Sequence, residues 1–182
     1  MRGEPQHFVH SKAMCWTALD RGLSLARECL RKAPTQRWKK VQREIRDAIE
    51  GEGYNRRRKV FVQAFGSQQL DAALLLLPLT HFLPFEDARM IRTVDAIRHD
   101  LEEDGLILRY RVEKTDDGLE GKEGTFLPCS FWMAEVLARQ GRVDEARIIF
   151  DRASTTSSEL GLFAEESDNH GDRMLGNYPQ AL

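Results

Sequence analysis

Apolar positions recur at helical spacing along most of this chain. Between residues 11 and about 32, Met14, Trp16, Leu19, Leu23, Ala26 and Leu30 mark a helix with a broad buried face, and Ser11 is its expected N-cap. Pro34 breaks the pattern. A more polar helix follows over residues 36 to 50, with Trp38, Val41, Ile45 and Ile49 on one face, and Gly51-Glu52-Gly53 is expected to end it. Residues 60 to 65 read as an extended segment leading into a helix over 69 to 77. That run is apolar nearly all round and is therefore expected inside. Glu86 and Asp87 open another helix, reaching about residue 103, with acids where the dipole favours them. Two more helices are predicted over 126 to 139 and 143 to 154, with Gly141 between them. The chain reads as all-α, about six helices in hairpin pairs; it has no fixed repeat period, which argues against a regular solenoid.

Two stretches depart from this pattern. Residues 106 to 124 form a long irregular segment that carries Arg109-Tyr110 and the turn-rich DDGLEGKEG. A loop of that length in a helical domain is usually functional or disordered. The other is the closing GLFAEESDNHGDRMLGNYPQAL, which mixes apolar, acidic and turn residues with no helical period.

Composition narrows the class. Charged residues make up 31% and hydrophobic residues 41%, as in a folded soluble domain rather than a disordered chain. A net charge of -2 gives no bulk attraction to nucleic acid or to an anionic membrane, and neither is expected as a partner. The basic run Arg56-Arg57-Arg58-Lys59 reads as a solvated loop or an anion contact. The cysteines at 15, 29 and 129 have no metal-ligand spacing. Cys15 and Cys129 fall in apolar helical patterns and are expected as buried thiols of a reducing, cytoplasmic compartment.

Candidate chemistry lies mainly in the two irregular stretches. Glu165 and Glu166 follow Leu162-Phe163-Ala164, so they read either as solvated loop acids or as acids held at the lip of a site. Arg109 beside Tyr110 suits a hydroxyl-rich ligand, with a planar fork of donors and a ring to pack on a sugar; a salt bridge beside a core aromatic is the alternative. Glu123 belongs to the same loop. His7, His10 and Lys12 cluster near the N-terminus, where His10 and Lys12 read as hydrogen-bonding groups at a helix start and a His-x-x-His metal pair lacks a third ligand.

Four blocks together resemble glycoside hydrolase family 15, which includes glucoamylases, glucodextranases and a bacterial-type trehalase. They are HFVHSKAMCWTALDRGLSLA, QAFGSQQLDAALLLLPL, EGTFLPCSFWMAEVLARQGRVDEARIIF and GLFAEESD with GNYPQA, and they follow the family's order along nearly the whole chain. The resemblance implies an (α/α)6 toroid with the active site in loops at one end, and hydrolysis of α-glucosidic bonds with inversion. It implies that Glu165 is the catalytic base, that Glu166 shapes the sugar site, that Arg109 with Tyr110 holds the first glucose, and that Glu123 lies near the pocket.

The resemblance also implies a partial catalytic domain over 1–182, cut at both ends. The family's general acid sits in a Trp-Glu step that falls before Met1, so the isolated chain is expected to be inactive. The expected substrate is trehalose or a short α-glucan, with a lean toward the trehalase branch. No cofactor is expected from the residues, although some members of that branch use phosphate and magnesium. A second reading is a non-catalytic helical module that pairs with a missing-half chain or with a second copy of itself.

Overall fold

The computed structural model describes residues 5–30, 32–111, 124–168, 170 and 173–176. Its elements are α1 (Val9–Glu28), α2 (Thr35–Glu52), β1 (Tyr54–Asn55), β2 (Val60–Phe61), a 3-10 turn (Ala72–Leu75) continuing into α3 (Leu76–Leu79), and α4 (Ala88–Leu101). Then come β3 (Glu102–Glu103), β4 (Leu106–Ile107), β5 (Thr125–Phe126), α5 (Pro128–Arg139), α6 (Val143–Ser154), β6 (Glu166–Ser167) and β7 (Met174–Leu175). Helices dominate, and the two-residue strands serve only to pin loops.

The helices form two layers. α1 packs on α2 and α5 on α6 as antiparallel hairpins, while the 3-10 turn and α3 sit between α1 and α5. This inner row contributes Val9, Ala13, Trp16, Leu74, Leu75, Leu77, Cys129, Met133 and Leu137 to one continuous core. α2, α4 and α6 lie outside. They are amphipathic, and α4 buries Met90, Val94, Ile97 and Leu101 at helical spacing. Arginine pairs link the outer helices: Arg89 with Glu50 joins α4 to α2, while Arg142 with Asp95 and Arg98 with Glu145 join α6 to α4. Hydrogen bonds to Arg142 hold the Glu145 carboxyl below its usual range.

Three expectations change. Ser11 does not cap α1. The helix starts at Val9 after Phe8, because Phe8 bridges Ala64 and the Val9 amide donates to the Gln63 carbonyl at 2.9 Å. A backbone acceptor from a distant loop satisfies the amide that a side-chain cap would have taken. The apolar run at 69–77 is not one helix either. Residues 69–71 are not helical, Asp71 is extended, and helical structure begins only at Ala72, where the Asp71 carboxylate accepts from the Ala73 amide at 2.7 Å. Finally, Cys129 is buried as expected, but Cys15 is exposed, because α1 buries the face of Val9, Ala13 and Trp16 instead.

The Gly51-Glu52-Gly53 step ends α2 as expected, with Gly53 as the C-cap. A Cβ on Gly53 would meet Val9 Cγ2 at 2.6 Å, so the chain needs glycine there for α2 to end against the start of α1. Arg46 ties the layers at the other end. Its guanidinium lies 4.8 Å from the Trp16 ring and 4.4 Å from the Phe82 ring, and it donates to the Phe82 carbonyl at 2.8 Å. Arg46→Ala is expected to cost about 1–3 kcal/mol in thermal or denaturant unfolding, and Arg46→Lys to recover only part of it, because an ammonium cannot stack on two rings and keep that bond. Full recovery by lysine would show that charge alone matters here.

Candidate functional site

The N-terminal ends of the inner elements converge on one face, and each receives a backbone bond from a returning loop. The Val9 amide donates to the Gln63 carbonyl at 2.9 Å, Ala72 to Arg109 at 2.8 Å, and Leu127 to Glu165 at 3.1 Å. Helix starts carry amides with no partner inside the helix, so distant carbonyls complete them. As a result Gln63, Arg109 and Glu165 are brought to the same end of the fold. The positive ends of α1 and α5 point toward that face and favour electron-rich oxygens there.

The tail is fixed against α5 by a small antiparallel sheet in the order β5-β6-β7. Phe126 pairs with Glu166, and Thr125 with Ser167. Gly124 makes this possible, since a Cβ there would lie 2.5 Å from the Ser167 carbonyl oxygen. That same position is 3.3 Å from Glu166 Oε2, so the Glu166 carboxylate rests over the glycine. Glu165 is half-buried, with its side chain beside Gly176, where an added Cβ would stand 3.8 Å from Oε2. The Glu165 carboxylate makes no hydrogen bond or ion pair with another described residue and is available to a ligand or to water.

Arg109 is exposed. Its guanidinium lies 5.5 Å from the Tyr110 ring and 5.8 Å from the Phe126 ring. No carboxylate among the described residues pairs with it, so the salt-bridge reading of Arg109 does not hold there. Phe126, the strand partner of Glu166, therefore connects the arginine to the acidic tail. No direct bond joins Glu165 to Arg109 among the described residues. Trp132 packs edge-on to Phe126 at 6.1 Å and backs this junction. Glu123 lies outside the described residues.

Asp71 and Gln63 enlarge the site beyond the residues singled out in the sequence. Asp71 sits one residue before the amide that bonds Arg109, and Gln63 Nε2 donates to its carboxylate at 3.4 Å. Burial raises the Asp71 proton affinity, opposed by the Ala73 amide, by Arg109, by Gln63 and by His10. Burial lowers that of His10, with Asp71 opposing and Arg109 reinforcing the shift. The Cys129 thiol is pushed up by burial and by Asp71, so it stays protonated. The sequence signal for Asp71 was a single acid directly before an unbroken apolar run. His7 and Lys12 take structural roles, both against the Phe65 ring.

The basic run at 56–59 is a tight turn in which Arg58 pairs with Asp100 at 3.0 Å and donates to the Gln68 carbonyl. Arg58, Gln69, His99, Asp100 and Arg111 help to line a cavity of about 620 Å³ that includes neither Glu165 nor Arg109. Among the described residues no three His, Cys, Asp or Glu side chains group to hold a metal ion. No described helix is long and apolar enough to cross a membrane.

Comparison with known proteins agrees with this architecture. The sequence profile of glycosyl hydrolases family 15 matches residues 1–182. The chain is 50% identical over 182 residues to a trehalase of Mycobacterium tuberculosis and 40% identical over 182 residues to a trehalase of Thermoplasma volcanium. It spans 27% and 29% of the length of those two relatives. Among solved structures it resembles a wild-type glycosidase (TM-score 0.75) and a glycosidase variant in complex with glucose (TM-score 0.76). Both are 22% identical, and each match covers 89% of this chain and 42% of the other. The paired helices are thus part of an (α/α)6 toroid, and the chain belongs to glycosyl hydrolases family 15.

Proposed function

We propose that this chain carries the catalytic-base side of an inverting α-glucoside hydrolase of the trehalase kind. The observation that carries the reading is the bond from the Leu127 amide to the Glu165 carbonyl, together with the pairing of Phe126 and Glu166. These hold two carboxylates at the start of an inner helix, beside the ring that meets Arg109. The identity to trehalases and the likeness to a glycosidase that binds glucose support an α-glucoside as substrate, with trehalose the preferred choice.

In this reading Glu165 accepts a proton from a water molecule as that water attacks the anomeric carbon. The sugar–oxygen bond breaks on the opposite face, and a general acid protonates the departing oxygen. Inversion requires the two carboxyl groups to stand about 6.5–9.5 Å apart, so that the water fits between base and sugar. Glu165 suits the base: it is half-buried, its backbone is pinned, and its carboxylate is not consumed by a described partner. Arg109 donates to sugar hydroxyls with Tyr110 packed beside it, and Glu166 bounds the glucose site. In this reading the general acid belongs to a part of the catalytic domain beyond the 27% of the mycobacterial trehalase that this chain spans.

Exposed apolar side chains favour a second element of the same reading. Ile148 is 61% exposed, Phe150 52% and Leu160 84% on the α6 side, and Leu25 is 59% exposed on α1. In this reading further hairpins of the toroid pack over these side chains. We assign their cover to a polypeptide supplying those hairpins, with a second copy of this chain as the alternative occupant.

The purified chain is expected to release no detectable glucose from trehalose or maltose; robust turnover would contradict the placement of the acid. Joined to the remaining length of a family member, Glu165→Gln should lower kcat by about 10²–10⁴-fold with a much smaller change in KM. Unchanged turnover would remove Glu165 from the base role. Light scattering on the chain alone should show self-association, relieved when a chain carrying the other hairpins is added. A clean, stable monomer would count against the covered apolar faces.

A further inference from the structure

Arg152 belongs to the outer helix α6 and takes no part in the proton-transfer scheme, yet its guanidinium is engaged along its whole edge. Nε donates to the Asp104 carbonyl at 2.8 Å. Nη2 donates to the Asp104 carboxylate at 2.9 Å and to the His170 carbonyl at 2.6 Å. Nη1 donates to Thr155 Oγ1 at 3.1 Å, at the C-cap of its own helix.

The two partner segments are hairpin tips. Asp104 and Gly105 form the turn between β3 and β4, with φ of +49° and +74°. Left-handed backbone at both central residues is what a two-residue hairpin needs. Gly105 also admits the arginine stem, since a Cβ there would lie 3.0 Å from Arg152 Cγ. His170 lies between β6 and β7, in a turn that the Asp168 amide closes by donating to the Arg173 carbonyl at 3.0 Å. β4 ends at Ile107 and the chain runs on through Leu108 to Arg109, while β6 starts at Glu166, directly after Glu165. One guanidinium therefore joins the segment that leads into Arg109 to the segment that leads out of Glu165.

We infer that Arg152 is a positioning residue: it clamps the β3–β4 and β6–β7 tips together and so sets the spacing of Arg109 and Glu165 toward one sugar. The clamp stands on the bonds themselves; its consequence for a sugar rests on the hydrolase reading above. An ordinary surface ion pair meets a mobile carboxylate and contributes little. Here two of the acceptors are backbone carbonyls, one on each hairpin, so the arginine fixes main chain to main chain. The planar fork of donors is what spans them. A lysine carries all its donors on one atom and would hold one tip at a time.

The deciding experiment is NMR on the 182-residue chain and on Arg152→Lys. In the parent, Overhauser contacts are expected from the Arg152 side chain to both Gly105 and His170; the lack of either overturns the clamp without any variant. In Arg152→Lys, exchange of the Leu108 amide, bonded to Leu101, and of the Asp168 amide should both quicken by about tenfold or more, with the Val9 amide unchanged. Parent-like exchange in the lysine variant overturns the inference, and so does quickening at one hairpin only. Equal quickening at all three amides would mark a general loss of stability and also overturns it. A parallel glucose titration tests the consequence: binding weakened about tenfold or more in Arg152→Lys supports it, and equal binding by parent and variant overturns it. Glucose that binds neither protein counts against the hydrolase reading, and the exchange rates then decide on the clamp alone.

Discussion

A helix cannot satisfy its own first amides, and in this fold distant loops do so for the inner row. Gln63 completes the start of α1, Arg109 the start of the 3-10 turn, and Glu165 the start of α5. Such a bond is worth only about 0.5–1.5 kcal/mol net, but a buried amide left without it costs more. Each loop is therefore held at its backbone; the Gln63 side chain turns to Asp71, while those of Arg109 and Glu165 make no hydrogen bond or ion pair with another described residue. The Arg109 carbonyl and the Glu165 carbonyl are fixed, and the exposed guanidinium and the half-buried carboxylate extend from a rigid base. That is how a helical array can offer chemistry from segments with almost no regular structure of their own.

Packing and electrostatics divide the work between the layers. The inner row is apolar and continuous, from Val9 through Leu75 to Met133, and sets where the helix starts lie. The outer helices add little apolar surface beyond their inward stripes and are joined by arginine–carboxylate pairs. Exposed pairs of that kind contribute modestly each, so the register of the outer layer follows from hairpin packing more than from charge. At the site the balance reverses. Asp71 keeps a carboxyl in a desolvated position between Gln63 and Ala73, a cost that packing alone gives no reason to bear.

Much of this was legible in the sequence. Helical spacing located α2, α4, α5 and α6 to within a few residues, because each has one apolar stripe and a local stop or start such as Asp87 or Gly141. The family resemblance pointed to the tail through its last block and, outside the blocks, to the Arg109-Tyr110 step. What escaped depends on contacts between distant segments. Ser11 looked like a cap because the Phe8–Ala64 bridge is not encoded nearby. The run at 69–77 looked like one helix because apolar composition carries no period, whereas Asp71 starts the turn later. Cys15 sits among apolar residues in sequence but on the outer face of α1 in space. Asp71 itself was visible as a letter, but its proximity to Arg109 and His10 arises only when three chain segments meet.

The account stands on the inner-helix starts forming one sugar-binding face. Backbone and side-chain NMR of the chain titrated with glucose tests this directly. The account expects shifts concentrated at His10, Asp71, Arg109, Tyr110, Phe126, Trp132 and Glu165. Shifts confined to the separate cavity lined by Arg58, His99 and Arg111, with those positions silent, would contradict it.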